Sequence, residues 1–302
     1  MTREMFITIP PAFASGVIGK WGQTGRKWLD DLPAQFEAVC KEWGLKADGE
    51  PSHGYLGLVL PVLRGHEPCV LKITWPDENA RLEILGLQTW NGQGAVKLLK
   101  AEPEKGVLLL ERLNSKKSLD QLDIRESTVV IADLLRRLSV PAPQGVPNIR
   151  EVAPKTAATL AHRWEKLGRP FSEKFVESAQ AAVRELAPGS GDFLVNHDLH
   201  YGNVLAGERE PWLVIDPKVT AGDPEYSVFS TLMHDPKVIK DTQAVEFVFD
   251  RITDTAKLDG ERARGWAMFR VVDYWLWALG IGYTEDPAQC ALIAEYLTGK
   301  EF

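Results

Sequence analysis

Apolar positions follow one rhythm up to residue 113 and another beyond it. In the first stretch they gather in short runs: Cys69-Val70-Leu71-Lys72-Ile73, then residues 94–99, then Gly106-Val107-Leu108-Leu109-Leu110-Glu111-Arg112-Leu113, with a polar break at 100–105. Runs of this length between turn residues predict strands. Residues 49–60, glycine-bearing and then apolar, predict a hairpin whose turn holds Ser52 and His53. The runs complete a five-stranded sheet. Residues 77–90 place Ala80, Ile84 and Leu87, and also Leu82, Leu85 and Gln88, at helical spacings, which predicts an amphipathic helix carrying Glu78 and Glu83.

From residue 125 the period is helical. Val130, Ile131, Leu134, Leu135 and Leu138 form an apolar stripe over 127–139. Further helices are predicted at 153–167 and 173–186, parted by Gly168-Arg169-Pro170, and at about 224–234, 241–256, 260–281 and 287–297. No internal repeat or low-complexity tract is evident. The pattern predicts an α+β chain, with a sheet-bearing region at 1–113 and a larger, mainly helical one at 114–302.

Residues 193–218 belong to neither rhythm and carry the chemistry. Phe193-Leu194-Val195 leads into Asn196-His197-Asp198-Leu199-His200-Tyr201-Gly202-Asn203. Strand-like 204–206 and 212–215 follow, joined by a turn at 207–211. Such a hairpin carries Asn203 at one end and returns Asp216 beside it. Phosphoryl transfer asks mostly for alignment and charge neutralisation: a carboxylate to take the acceptor's proton, and an Asn and an Asp to hold divalent metal. Asp198, Asn203 and Asp216 stand in that order, and hard oxygen ligands suit Mg²⁺. The competing reading is an ordinary hairpin with solvated carboxylates and a capping Asn.

The segment resembles the catalytic and metal-binding motifs of the aminoglycoside phosphotransferase family. Ile215-Asp216-Pro217-Lys218 followed by Gly222-Asp223-Pro224 is similar to its streptomycin and hydroxyurea phosphotransferase branch. That resemblance implies a bilobal protein-kinase-like fold: an N-terminal lobe with an antiparallel five-stranded sheet, and a larger helical lobe holding the catalytic loop and acceptor site. It makes Asp198 the base, and Asn203 and Asp216 the metal ligands. Lys72 becomes the strand lysine on the nucleotide phosphates, held by Glu83, with Ser52 and His53 as candidate phosphate contacts. Backbone groups across Glu111 to Leu113 become the hinge that reads the purine. Without the resemblance, Lys72 and Glu83 read as surface charges, and Gly49 to Leu60 as a plain hairpin lacking any Walker motif. Family members read His-Gly-Asp-Leu-His where Asn196-His197 stand here, so either residue could take over the missing loop His.

Resemblance further implies ATP or GTP with Mg²⁺ as cofactors, and transfer of the γ-phosphate to a small-molecule hydroxyl. The leading acceptor is streptomycin at its 6-hydroxyl, which would confer antibiotic resistance. Hydroxyurea or another metabolite is the alternative, and a catalytically silent nucleotide-binding regulator is the reading from a different class. Asp223 is expected to brace the catalytic loop or cap a helix. Asp273 and Trp277 are candidate acceptor contacts, since aromatic walls and a carboxylate suit a cationic polyol; Trp266 and Trp275 at helical spacing point to core. Glu225, Asp235, Glu285 and Asp286 are further acidic candidates.

Composition adds boundaries. A net charge of −7 argues against a nucleic-acid surface and agrees with a cationic acceptor. Cys40, Cys69 and Cys290 have no metal-ligand spacing, so reduced thiols are expected. No run approaches a membrane span, and the first ten residues have no secretory pattern. The expectation is a cytoplasmic enzyme, monomeric or a small homo-oligomer.

Overall fold

A computed structural model of the chain describes residues 8–54, 57–233, 239–283 and 286–299. Contacts divide it into two units, Met1–Gly92 with Val96–Leu113, and Gln93–Ala95 with Asn114–Phe302. Among the described residues no helix is long and apolar enough to cross a membrane.

The first unit begins with an element not expected from the sequence, helix α1 (Pro11–Trp43), broken at Gly22, whose φ of 57° and ψ of −131° are not helical. Strands β1 (Leu45–Ala47), β2 (Ser52–His53), β3 (Gly57–Arg64) and β4 (Glu67–Thr74) follow, then helix α2 (Glu78–Trp90), β5 (Leu98–Glu102) and β6 (Val107–Glu111). The strands pair antiparallel in the order β1-β3-β4-β6-β5, with two-residue β2 added beside β3. Five strands thus form the main path and a short sixth extends it. Phe13, Val17, Leu32 and Phe36 of α1 join Leu58, Leu60, Leu71 and Ile73 of the sheet in one buried core. Asp77 caps α2, its carboxylate accepting from the N–H groups of Asn79 (2.9 Å) and Ala80 (3.1 Å), so the helix starts where the sequence signals it.

Two boundaries differ from expectation. The strand expected at 94–99 begins only at Leu98, because Gly92 (φ 83°) and Gly94 (φ 74°) take left-handed conformations that turn the chain away from the sheet. Gly106, at φ 64°, is tied to its place more tightly: a Cβ there would lie 2.3 Å from the Thr74 carbonyl oxygen, so β6 can start only after a glycine.

The second unit contains β7 (Asn114–Ser118), helices α3 (Ile124–Leu138), α4 (Ile149–Lys166) and α5 (Glu173–Leu186), and strands β8 (Phe193–Asn196), β9 (Val204–Ala206), β10 (Trp212–Val214) and β11 (Val219–Gly222). Helices α6 (Val228–Leu232), α7 (Thr242–Ala256), α8 (Gly260–Gly280) and α9 (Asp286–Gly299) complete it. A sheet β10-β9-β7 and a ribbon β11-β8 carry the loop of interest. Neither β7 nor β11 was expected: Asn-Ser-Lys-Lys-Ser has no apolar residue, and Val-Thr-Ala-Gly is four residues long. The helix expected near 224–234 resolves into a 3₁₀ turn, Pro224–Ser227, and α6, and its last residue lies outside the described residues. Around α8 the core is apolar, with Trp266, Phe269 and Val272 almost wholly covered.

Candidate functional site

The ribbon explains how the loop is held. Register places Val219 of β11 opposite Asn196 of β8, so the chain after Asp216 is led back to the chain before Asp198. Asn196 is buried, and its Oδ1 accepts from the backbone N–H of Asp198 (3.1 Å) and of Lys218 (3.2 Å). The His197 N–H donates to the Lys218 carbonyl (2.8 Å). Below the loop, the Asn196 carbonyl accepts from Ser227 Oγ (2.8 Å), and that of His197 from Ser230 Oγ (2.5 Å) and Arg270 Nη2 (3.0 Å). The loop's polar backbone is therefore satisfied on both sides. Of the two residues standing where the family has His-Gly, Asn196 is the one that clamps the loop with its side chain.

Three more bonds close the turn around Asp198. Its carbonyl accepts from the His200 N–H (3.0 Å) and from Asn203 Nδ2 (3.2 Å), while the Asn203 N–H donates to His200 (2.9 Å). Because the Asn203 amide nitrogen is spent on Asp198, its Oδ1 is the atom it can offer a cation. The Ile215 N–H donates to the Asn203 carbonyl (2.8 Å), which brings Asp216, next in the chain, beside Asn203. Asp216 holds a left-handed φ of 48°, a conformation that Asp tolerates better than most residues. The three residues singled out from the sequence are thus drawn together by backbone geometry.

Electrostatics around the loop are uneven. Lys218 Nζ lies 2.7 Å from Asp198 Oδ2. Burial pushes the Asp198 carboxyl up, but the charge and hydrogen bond of Lys218, with His200 and His197, outweigh it and leave the group below the usual carboxylate range. Burial, then the Arg270 guanidinium, holds His197 well below the ordinary imidazole value. His200 is lowered by burial, against the opposing pull of Asp198, Asp216 and Asp120. Among the described residues no group of three or more His, Cys, Asp or Glu side chains forms a metal cage. Asn203 and Asp216 offer one amide and one carboxylate as hard oxygen donors, which fits Mg²⁺ completed by substrate phosphates and water and does not fit an all-protein site.

In the first unit, Lys72 of β4 and Glu83 of α2 are both buried and paired, Nζ standing 2.7 Å from Oε1 and 2.8 Å from Oε2. Gly57 makes room for the lysine stem: a Cβ there would come within 3.0 Å of Lys72 Cε. Glu78 instead pairs with Arg81 at the surface (2.5 Å). Ser52 and His53 are exposed on β2, and His53 Nδ1–H donates to the Gly54 carbonyl (3.0 Å). The rest of that expected turn, Tyr55 and Leu56, lies outside the described residues. Glu111 is engaged within its sheet: its N–H donates to the Lys97 carbonyl (3.0 Å) and its Oε1 accepts from the Lys97 N–H (2.7 Å). Leu113 is partly buried at the end of that segment.

The acceptor candidates scatter. Asp273 is bound by Arg163, whose Nη1 meets Oδ1 at 2.5 Å and whose Nη2 meets the carbonyl at 2.8 Å. Trp277 is 39% exposed and packs edge-on against Tyr283. Trp266 is buried and donates Nε1–H to Asp223 Oδ2 (2.7 Å), and Trp275 stacks on Phe171. Asp223 also accepts from the Gly191 N–H (2.8 Å) and from Arg262, and makes no helix-capping bond, so it braces the approach to β8. Glu225 is buried and accepts from the Asp259 N–H (3.0 Å), and Asp286 accepts from the Tyr274 hydroxyl (2.6 Å). Asp235 and Glu285 lie outside the described residues. Lys218 received no role from the sequence, though a lysine two residues after Asp216 was the signal.

Comparison with known proteins agrees with this arrangement. The profile of the aminoglycoside/hydroxyurea antibiotic resistance kinase family matches residues 42–282. A hydroxyurea phosphotransferase of Kitasatospora aureofaciens is 38% identical over 97% of this chain and 87% of its own. A streptomycin 6-kinase of Streptomyces glaucescens is 37% identical over 99% of this chain and 100% of its own. The crystal structure of a thermostable mutant of the aminoglycoside phosphotransferase APH(4)-Ia, in ternary complex with ADP and hygromycin B, superposes with a TM-score of 0.58, covering 88% of this chain and 98% of that one. At 14% identity that likeness speaks for the fold, which is protein-kinase-like. A loop built around Asp198, Asn203 and Asp216, on a chain alike from end to end, has one consistent account: the protein belongs to the aminoglycoside/hydroxyurea antibiotic resistance kinase family.

Proposed function

We propose that this kinase transfers the γ-phosphate of ATP, with Mg²⁺, to the 6-hydroxyl of streptomycin. The observation that carries the reaction is the clamped loop, in which the Asp198 peptide is fixed on both sides, its carboxylate stays 28% exposed, and Asn203 is bonded both to the Asp198 carbonyl and to Ile215, the residue before Asp216. Asp198 orients the acceptor hydroxyl and takes its proton. Asn203 and Asp216 hold the metal, which neutralises phosphate charge. Lys72, fixed by Glu83, binds nucleotide phosphate. The full-length similarity to a streptomycin 6-kinase supports the acceptor, and the net charge of −7 suits a cationic one. Action in the cytoplasm goes with this reading.

Hydroxyurea is the second reading, favoured by the 38% identity to a hydroxyurea phosphotransferase. A silent nucleotide-binding regulator is disfavoured, because Asn196 supplies the loop bonds that its departure from the motif put in question. The test is incubation of the purified protein with Mg-ATP or Mg-GTP against streptomycin, other aminoglycosides and hydroxyurea, with mass detection. Streptomycin heavier by one phosphate is the expected product. Phosphorylated hydroxyurea alone replaces the acceptor, and binding of nucleotide without any product overturns the reading.

A further inference from the structure

The contact between Lys218 and Asp198 has no part in the roles assigned so far. Lys218 is pinned at its backbone, its N–H on Asn196 Oδ1 (3.2 Å) and its carbonyl on the His197 N–H (2.8 Å). Its side chain is 54% exposed and still ends 2.7 Å from Asp198 Oδ2. Arg270, the other cation near the loop, points elsewhere: it donates to the His197 carbonyl and lies 4.8 Å from the Tyr226 ring centroid. Among the described residues Lys218 is thus a cation in direct contact with Asp198, and the carboxylates of Asp198, Asp216 and Asp120 all act on the neighbouring His200. A nucleoside triphosphate adds more negative charge to such a place. An ion pair this open to water is weak and exchanges readily, so the ammonium can pass to another anion at little cost.

We propose that Lys218 is a catalytic residue, releasing Asp198 to the acceptor hydroxyl and meeting the phosphoryl group as it is transferred. This inference rests on the kinase reading of the same site. In the step, the acceptor oxygen forms its bond to the γ-phosphorus while the bond from that phosphorus to the β–γ bridging oxygen breaks. The bridging electron pair leaves with the nucleoside diphosphate, and the hydroxyl proton goes to Asp198. Negative charge spread over the three peripheral oxygens is what the ammonium meets, as a point charge on a flexible stem.

The test is Lys218→Met and Lys218→Arg in the full chain, with Mg-ATP and with streptomycin or hydroxyurea. For K218M, kcat is expected to fall about 10²–10³-fold, with acceptor KM and ADP affinity within about threefold of wild type. K218R should recover at least part of that loss, and the thermal midpoints should stay together. The decisive variant combines K218M with Asp198→Ala. Residual turnover below that of D198A alone is expected, whereas equality means Lys218 acts only through Asp198 and overturns the proposal, as does an unchanged kcat in K218M. If the wild type phosphorylates no acceptor, the kinase reading of the acceptor falls, and slow ATP hydrolysis by water decides Lys218 independently: K218M must reduce it.

Discussion

Two lysine–carboxylate pairs in this chain have the same length and opposite surroundings. Lys72 and Glu83 meet at 2.7 Å with side chains 10% and 7% exposed, while Lys218 and Asp198 meet at 2.7 Å with side chains 54% and 28% exposed. Distance alone therefore ranks neither. The covered pair has lost its water, so each charge depends on the other, and removing one partner of such a pair costs about 3–5 kcal/mol. The open pair keeps its solvent, and pairs of that kind contribute about 0–1 kcal/mol. One contact fixes a strand to a helix; the other can be exchanged as a reaction requires.

The largest effect expected from this contrast falls on activity. Asp198→Ala should lower turnover by about 10³-fold or more, which is about 4 kcal/mol in activation free energy, while nucleotide affinity stays near wild type. Stability should change by about 1 kcal/mol, because the pair that is lost is open to water on its Lys218 side and only partly covered on its Asp198 side. Turnover by mass detection and urea unfolding read the two quantities on the same sample. Wild-type-like turnover would end the assignment of Asp198 as base.

Glu83→Ala should behave the other way, destabilising the protein by about 3–5 kcal/mol as the Lys72 ammonium is left buried without that carboxylate. A double variant, Lys72→Met with Glu83→Leu, should recover most of that stability, since apolar groups of similar size replace a buried pair at little cost. It should recover no turnover. If E83A unfolds like wild type, the covered pair is no firmer than the open one and the comparison collapses.

Much of this arrangement was legible in the sequence, and the limits have physical causes. The helix that presents Glu83 showed its stripe, and Asp198, Asn203 and Asp216 stood out because phosphoryl transfer demands those atoms in that order. Helix α1 went unread although Leu29, Leu32, Phe36, Val39, Cys40 and Trp43 stand at helical spacings; that stripe was the signal, with Gly22 and Pro33, ordinary helix breakers, lying inside the helix. Strands β7 and β11 exist through pairing with β9 and β8: Asn-Ser-Lys-Lys-Ser has no apolar residue, and Val-Thr-Ala-Gly ends in two residues of low strand propensity. The contact of Lys218 with Asp198 follows from β11, which returns it to Asn196, so the lysine two residues after Asp216 was a signal whose partner only that pairing reveals. Asp273 looked like an open carboxylate because its partner Arg163 lies 110 residues away.

A smaller effect tests the clamp beneath the open pair. Asn196→Ala removes the acceptor of the Asp198 and Lys218 N–H groups, both part-buried, so together they cost nearer the lower end of the about 1–3 kcal/mol of a fully buried unsatisfied donor. The same change also removes Asn196 Nδ2, which is buried without a hydrogen-bond partner among the described residues, and that offsets part of the loss. A net destabilisation of about 1–2 kcal/mol is expected, with kcat reduced about tenfold as the loop loosens. Urea midpoints and kcat check it; an unchanged kcat would mean that the backbone bonds alone hold Asp198.

The smallest effect asks whether the floor under the open pair is as dry as the covered pair. Burial, then Arg270, then Lys218 lower His197, with Asp198 pulling the other way. Its folded value lies below its unfolded one, so in mild acid the unfolded chain takes up a proton that the folded chain refuses. The stability this site contributes is complete above about pH 6.5 and is lost as pH falls, by at most about 1.4 kcal/mol per pH unit for one proton. Asp198, also lowered, acts with the same sign but only in stronger acid, near and below the ordinary carboxylate value of about 4. Urea unfolding between pH 7 and 5 should therefore show stability falling with acid, and His197→Gln should reduce that slope, the part due to His200 remaining, while leaving the slope below pH 4 in place. An identical slope in the variant would mean that water reaches the His197 ring, and that the exposed side of the comparison extends beneath the loop as well as over it.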